Sequence, residues 1–77
     1  MIVKGNLKYL NDIVAIENSI FLQPWSRIHF EKDLQHSAGY SRFFIEHNQC
    51  SAYLFGYSLD NEFHLNNIAV NKKQQNR

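Results

Sequence analysis

The chain is 77 residues long, with eight Lys and Arg against seven Asp and Glu, a net charge of +1, 44% hydrophobic residues and 14% aromatic residues. This length holds one domain at most, and so short a domain buries only roughly 60 to 65% of the surface its unfolded chain exposes, which leaves a core with little surplus. The apolar and aromatic share excludes a disordered chain, and the near-neutral charge removes any global electrostatic reason to bind nucleic acid or anionic lipid. The single cysteine, Cys50, excludes an internal disulfide framework and a multi-thiolate metal site, and it suits a reducing compartment. The opening Met-Ile-Val-Lys-Gly lacks the basic-then-apolar run of a signal peptide, and no run of roughly 18 apolar residues occurs. A soluble, cytoplasmic protein with no membrane partner is expected.

In chain order, residues 1–3 are apolar and β-branched and are broken by Lys4-Gly5-Asn6, which predicts a first edge strand or an ordered terminus. Across residues 9–21 the apolar side chains Leu10, Ile13, Val14, Ile16, Ile20 and Phe21 recur at steps of three and four. Asn11, Asp12, Glu17 and Asn18 fall largely between them, so the pattern predicts an amphipathic helix with these four on its wet side. Pro24 ends it, because proline has no backbone N–H and the residue before it avoids the helical region. Ser26 is placed to cap a second helix through its hydroxyl, although the capping box is incomplete with His29 three residues on. Phe30 and Leu34, with Ile28 nearby, form the apolar stripe of that helix, which dissolves after Gln35 in His-Ser-Ala-Gly.

Residues 40–46, containing Arg42-Phe43-Phe44-Ile45, read as a strand, and 47–51 as a polar turn. Residues 52–59 are almost continuously apolar and aromatic, which predicts a strand covered on both faces, with Gly56 marking a bulge or a close approach. Asp60-Asn61 is turn chemistry, and Glu62 to Val70 resumes as a strand whose parity shifts at Asn66-Asn67. Three strands joined by short turns make an antiparallel meander packed on two preceding helices, an α+β fold. The last strand then runs into the basic segment 71–77, where another loop and element would be expected, and the sequence reads as cut.

Three stretches resemble one family in order and spacing: Phe21-Leu-Gln-Pro-Trp-Ser26, His29-Phe-Glu-Lys-Asp-Leu34, and Glu62-Phe-His-Leu-Asn-Asn-Ile-Ala-Val70 followed by Gln75-Asn-Arg77. The family is the GNAT superfamily of acyl-CoA N-acyltransferases, and within it the ribosomal-protein-alanine N-acetyltransferases of the RimI type. The resemblance implies that residues 1–77 are the N-terminal portion of the GNAT fold, ending inside the expected pyrophosphate-binding loop. It implies acetyl-CoA as co-substrate, with backbone groups of Ile68, Ala69 and Val70 on the pantetheine arm, because an irregular strand can pair with an amide-rich arm as it would with another strand. Gln75, Asn76 and Arg77 match the first three positions of the loop Gln-x-x-Gly-x-Gly/Ala, which opens a helix on the pyrophosphate; both glycines lie beyond residue 77. The resemblance also puts Pro24, Trp25 and Ser26 on the rim of the acceptor groove, and it implies a protein N-terminus as acceptor, in this branch that of a ribosomal protein. The family's general base, a Glu, and its acid, a Tyr, lie further downstream, so no catalytic residue is assigned and the 77 residues alone are expected to be inactive.

Plainer readings stand beside these. Residues 63–70 read equally as a half-buried strand, Trp25 as a core anchor, Ser26 as a cap alone, and Lys72, Lys73 and Arg77 as a solvated end instead of a coenzyme-phosphate contact. Histidines 29, 36, 47 and 64 and Cys50 lack close metal-ligand spacing, so no metal is expected. The aromatic strands lack interleaved basic residues, so no nucleic-acid partner is expected either. Two alternatives remain at this level: a non-enzymatic module that self-associates through the exposed strand Phe63 to Val70, and a small-molecule amine acetyltransferase of the same superfamily.

Overall fold

A computed structural model describes residues 1–73. Strand β1 (Ile2–Lys4) is followed by a single 3-10 turn (Leu7–Tyr9), then α1 (Leu10–Ile20), α2 (Arg27–Gln35), β2 (Gly39–Glu46), β3 (Gln49–Leu59) and β4 (Glu62–Val70). The four strands form one antiparallel sheet in the order β1-β2-β3-β4. The first strand therefore joins the meander as its outermost member, with Ile2 opposite Phe44 and Lys4 opposite Arg42.

Local chemistry sets the element boundaries. Asn6 Oδ1 accepts from Lys8 N at 3.0 Å and starts the 3-10 turn that leads into α1. At the far end Phe21 is extended (φ −104°, ψ 139°), and Pro24 prevents the helix from resuming. Ser26 is the N-cap of α2: its hydroxyl accepts from His29 N at 3.1 Å. Only Phe30 of α2 is buried, however, and Ile28, counted with the apolar stripe from sequence, is exposed, because it lies two positions from Phe30 and so points to a different side of the helix.

Both hairpins turn on two residues with positive φ, His47-Asn48 (52° and 64°) and Asp60-Asn61 (53° and 65°), as the tight connection of twisted strands requires. The first turn is shorter than the polar composition of 47–51 suggests. Cys50 and Ser51 are buried members of β3, held there by Asp12 Oδ2, which accepts from Cys50 N at 2.9 Å, and by a bulge that leaves Ser51 without an opposite residue on β2.

Both helices lie on one face of the sheet. There Phe43, Tyr53, Phe55 and Ala69 pack against Leu10, Ile13, Ile16 and Phe30, with Phe30 tilted on Phe55 at 5.2 Å and edge-on to Tyr53 at 5.8 Å between ring centroids. The expectation that β3 is covered on both faces is corrected. Its Ala52 and Leu54 are only half-buried, and with Ile2, Phe44, Ile68 and Val70 they line an open apolar groove of about 220 Å³ on the face that carries no helix. Apolar continuity along β3 records two apolar faces, and among the described residues α1 and α2 both pack on one of them.

Candidate functional site

The site grows from the irregularity in β4. Phe55 of β3 faces Asn67, and the next residue, Gly56, faces Leu65, so Asn66 is an extra residue and β4 is bulged at the parity shift seen in the sequence. Gly56 sits opposite this bulge for reasons of space: a Cβ there would stand 2.6 Å from the His64 carbonyl oxygen and would collide with the Phe63 ring. The bulge rotates β4 so that Asn67 turns inward and is buried while Asn66 stays exposed. Beyond it Ala69 is buried on the helix face, and Ile68 and Val70 look out on the open face. β4 is also an edge strand: among the described residues no strand pairs with its outer side.

The second wall is the loop between α1 and α2. Pro24 and Ser26 are exposed and Trp25 is half-buried, its ring stacked on His29 at 3.8 Å, tilted on Phe30 at 5.3 Å and edge-on to Phe55 at 5.8 Å. Trp25 is thus a core anchor that also forms part of the loop surface. Because Phe55 is the register partner of Asn67, the Trp25 ring stands over the strand pair that carries the bulge.

Between the two walls lies a residue that the sequence pattern placed on the wet side of α1. Glu17 is 2% exposed, and its carboxylate accepts three hydrogen bonds: from Trp25 N at 2.9 Å on Oε2, and from the Tyr53 hydroxyl at 2.5 Å and Asn67 Nδ2 at 2.8 Å on Oε1. The assignment of Glu17 to the solvated face is corrected for a geometric reason. It lies four residues after Ile13 and seven after Leu10, on the same stripe as those buried residues, and its polar character is satisfied by donors from three separate segments. That i+4 and i+7 spacing was the available signal; the partners were not readable. Burial, followed by the hydrogen bond to Glu17, pushes the Tyr53 hydroxyl far above its ordinary range, so it stays protonated and donates.

The remaining reactive groups are quiet. Burial is also the main cause that pushes the Cys50 thiol up to about 11, so it is not a thiolate at neutral pH. Among the described residues no three His, Cys, Asp or Glu side chains converge as a metal site would need, and no helix is long and apolar enough to cross a membrane. Lys72 and Lys73 follow β4 in an exposed turn beside Asp12, Ser19 and Asn71. Gln75, Asn76 and Arg77, assigned to the coenzyme from the resemblance, lie outside the described residues.

No protein-family profile matches the chain, and no curated protein matches it in sequence. Among solved structures, the ribosomal-protein-S18-alanine N-acetyltransferase from Escherichia coli superimposes with a TM-score of 0.86 at 23% identity, covering 97% of this chain and 48% of that one. The architecture is therefore a partial GNAT fold: two helices on one face of an antiparallel four-stranded sheet, spanning about half the length of the acetyltransferase it matches.

Proposed function

We propose that the chain is the N-terminal half of an acetyl-CoA-dependent N-acetyltransferase of the RimI type, in which β4 receives the pantetheine arm and the Pro24-Trp25-Ser26 loop borders the acceptor groove. The observation that carries this reading is the bulged edge strand, found in a fold shared with an alanine N-acetyltransferase. An edge beside which no strand of the described residues lies suits an extended arm rich in amides, and the inward rotation at Asn67 re-aims the segment Ile68, Ala69, Val70 that would hold it. Acetyl-CoA, when bound, brings the thioester carbonyl that an amine attacks.

The chain's own part is to hold and orient. β4 would fix the arm by backbone pairing, and the loop, anchored by Trp25 on Phe30 and Phe55, would border the path of the incoming amine. Gln75, Asn76 and Arg77 would begin the pyrophosphate loop. The acceptor in the intact protein is a protein N-terminal amine, of a ribosomal protein in this branch. Proton transfer from the ammonium and to the leaving thiolate belongs to elements beyond residue 77, so the 77 residues by themselves are read as inactive in acyl transfer.

Isothermal titration of the purified chain with acetyl-CoA tests this. The expected result is weak but saturable binding, with amide NMR shifts centred on Ile68, Ala69 and Val70. A folded chain whose spectrum is unmoved by millimolar acetyl-CoA counts against the coenzyme role.

A second reading is favoured by the apolar groove on the open face, where Ile2 is 69%, Ile68 53% and Val70 37% exposed. It takes the chain as a non-enzymatic module that pairs with a second copy through Phe63 to Val70. Light scattering at high concentration separates the two, since a monodisperse monomer that binds acetyl-CoA leaves only the first.

A further inference from the structure

The buried carboxylate of Glu17 touches both walls of the site at once. Its Oε2 receives the backbone N–H of Trp25 from the α1–α2 loop, and its Oε1 receives the side-chain amide of Asn67 from the β4 bulge. We propose that Glu17 is a positioning residue that ties the acceptor-side loop to the coenzyme strand, so that the two walls hold one spacing and move together; this rests on the functional reading above.

The chemistry of the contact supports a specific strut more than general packing. All three partners of the carboxylate are donors, so an acceptor-only group with two oxygens matches them and a neutral amide does not. The Tyr53 hydroxyl braces Oε1 from β3, in the middle of the sheet, and so fixes the carboxylate plane against which both walls are set. Hydrogen bonds that converge on the two oxygens of one buried planar group are directional, so a change at one oxygen is transmitted to the other by rotation of that rigid group. Asn67 is the first inward-facing residue after the extra residue of the bulge, which makes its amide the direct handle on the curvature of β4.

Amide hydrogen exchange of the 77-residue chain, followed by NMR, tests the strut without needing a ligand. Asn67→Ala removes one donor from Oε1 and is expected to accelerate exchange at the Trp25 amide about tenfold, while the amides of Phe43 and Ile45, on β2 and away from the bulge, keep their rates. A merely structural loss would instead speed all of them together. In the Glu17→Gln background the side-chain NH2 opposes the Trp25 N–H, so Trp25 exchanges fast from the start and Asn67→Ala adds nothing. Equal responses to Asn67→Ala in both backgrounds, or a Trp25 amide that ignores Asn67→Ala in the native background, overturn the proposal. The second criterion stands alone if Glu17→Gln does not fold. Acetyl-CoA added to the same samples keeps the two claims apart. Shifts at Ile68 to Val70 with uncoupled Trp25 exchange sink the strut and spare the coenzyme strand; coupled exchange with no acetyl-CoA response supports the strut and removes the coenzyme role.

Discussion

The two faces of the sheet are built from the same strands and have opposite characters. On the helix side Phe43, Tyr53 and Phe55 are at most 2% exposed and surround an acidic side chain, Glu17, that is equally buried. On the other side Phe44 and Ile68 are 36% and 53% exposed, and the groove they border with Leu54 and Val70 is almost wholly apolar. Apolar content therefore does not decide which face becomes a core. What decides it is which face the helices pack on, and a polar residue with its partners in place is admitted to that core while apolar residues that no described element covers stay wet.

The sharpest way to break the comparison is at the centre of the covered face. Phe30→Ala removes the ring shared by Trp25, Tyr53 and Phe55 and is expected to cost about 3 to 5 kcal/mol, enough to leave so small a domain largely unfolded in a urea titration. Next comes Glu17→Ala, which leaves the Tyr53 hydroxyl, the Asn67 amide and the Trp25 N–H without their acceptor; a loss of about 2 to 4 kcal/mol is expected in the same titration. A variant as stable as the native chain would show that the carboxylate is not structurally engaged.

A pH series probes the covered face without mutation. Because the folded chain holds the Cys50 proton up to about 11, against 9.0 for the free thiol, stability from this group is complete below pH 9 and is lost as pH rises from 9.0 toward 11. Tyr53, also raised, contributes in the same direction at higher pH. Denaturation midpoints should fall over that window, and Cys50→Ala should flatten the early part of the fall; a flat native profile would contradict the burial of the thiol.

The smallest stability effect is expected on the open face. Ile68→Ser should change unfolding free energy by less than about 1 kcal/mol, since little area is buried there. It should nevertheless reduce self-association seen by light scattering if the bare face is what pairs. A large loss of stability in the monomer would mean that this face is covered after all.

Much of the frame was legible because its rules are local. Pro24 keeps α1 from resuming, Ser26 caps α2, Asp60-Asn61 turns the second hairpin, and the shift of parity at Asn66-Asn67 marks the bulge that Gly56 accommodates. Each of these is dictated within a few residues, by a missing N–H, a free hydroxyl, a tolerated positive φ or a broken alternation. Glu17, Ser51 and the uncovered side of β3 were misread because each depends on segments far along the chain. The donors to Glu17 come from 8, 36 and 50 residues away, a separation no periodicity encodes.

The amino-acid sequence alone determined the two helices, the strands of the meander and their order, the Asp60-Asn61 turn and the place where the last strand becomes irregular, since these follow from backbone sterics and short-range pairing. Only the tertiary structure decided that one carboxylate on the inner stripe of α1 receives the acceptor-side loop and the bulged strand together, and that one of two apolar sheet faces remains open. Burial and hydrogen-bond partnership are properties of what folds next to a residue, and that is settled when the helices close on the sheet.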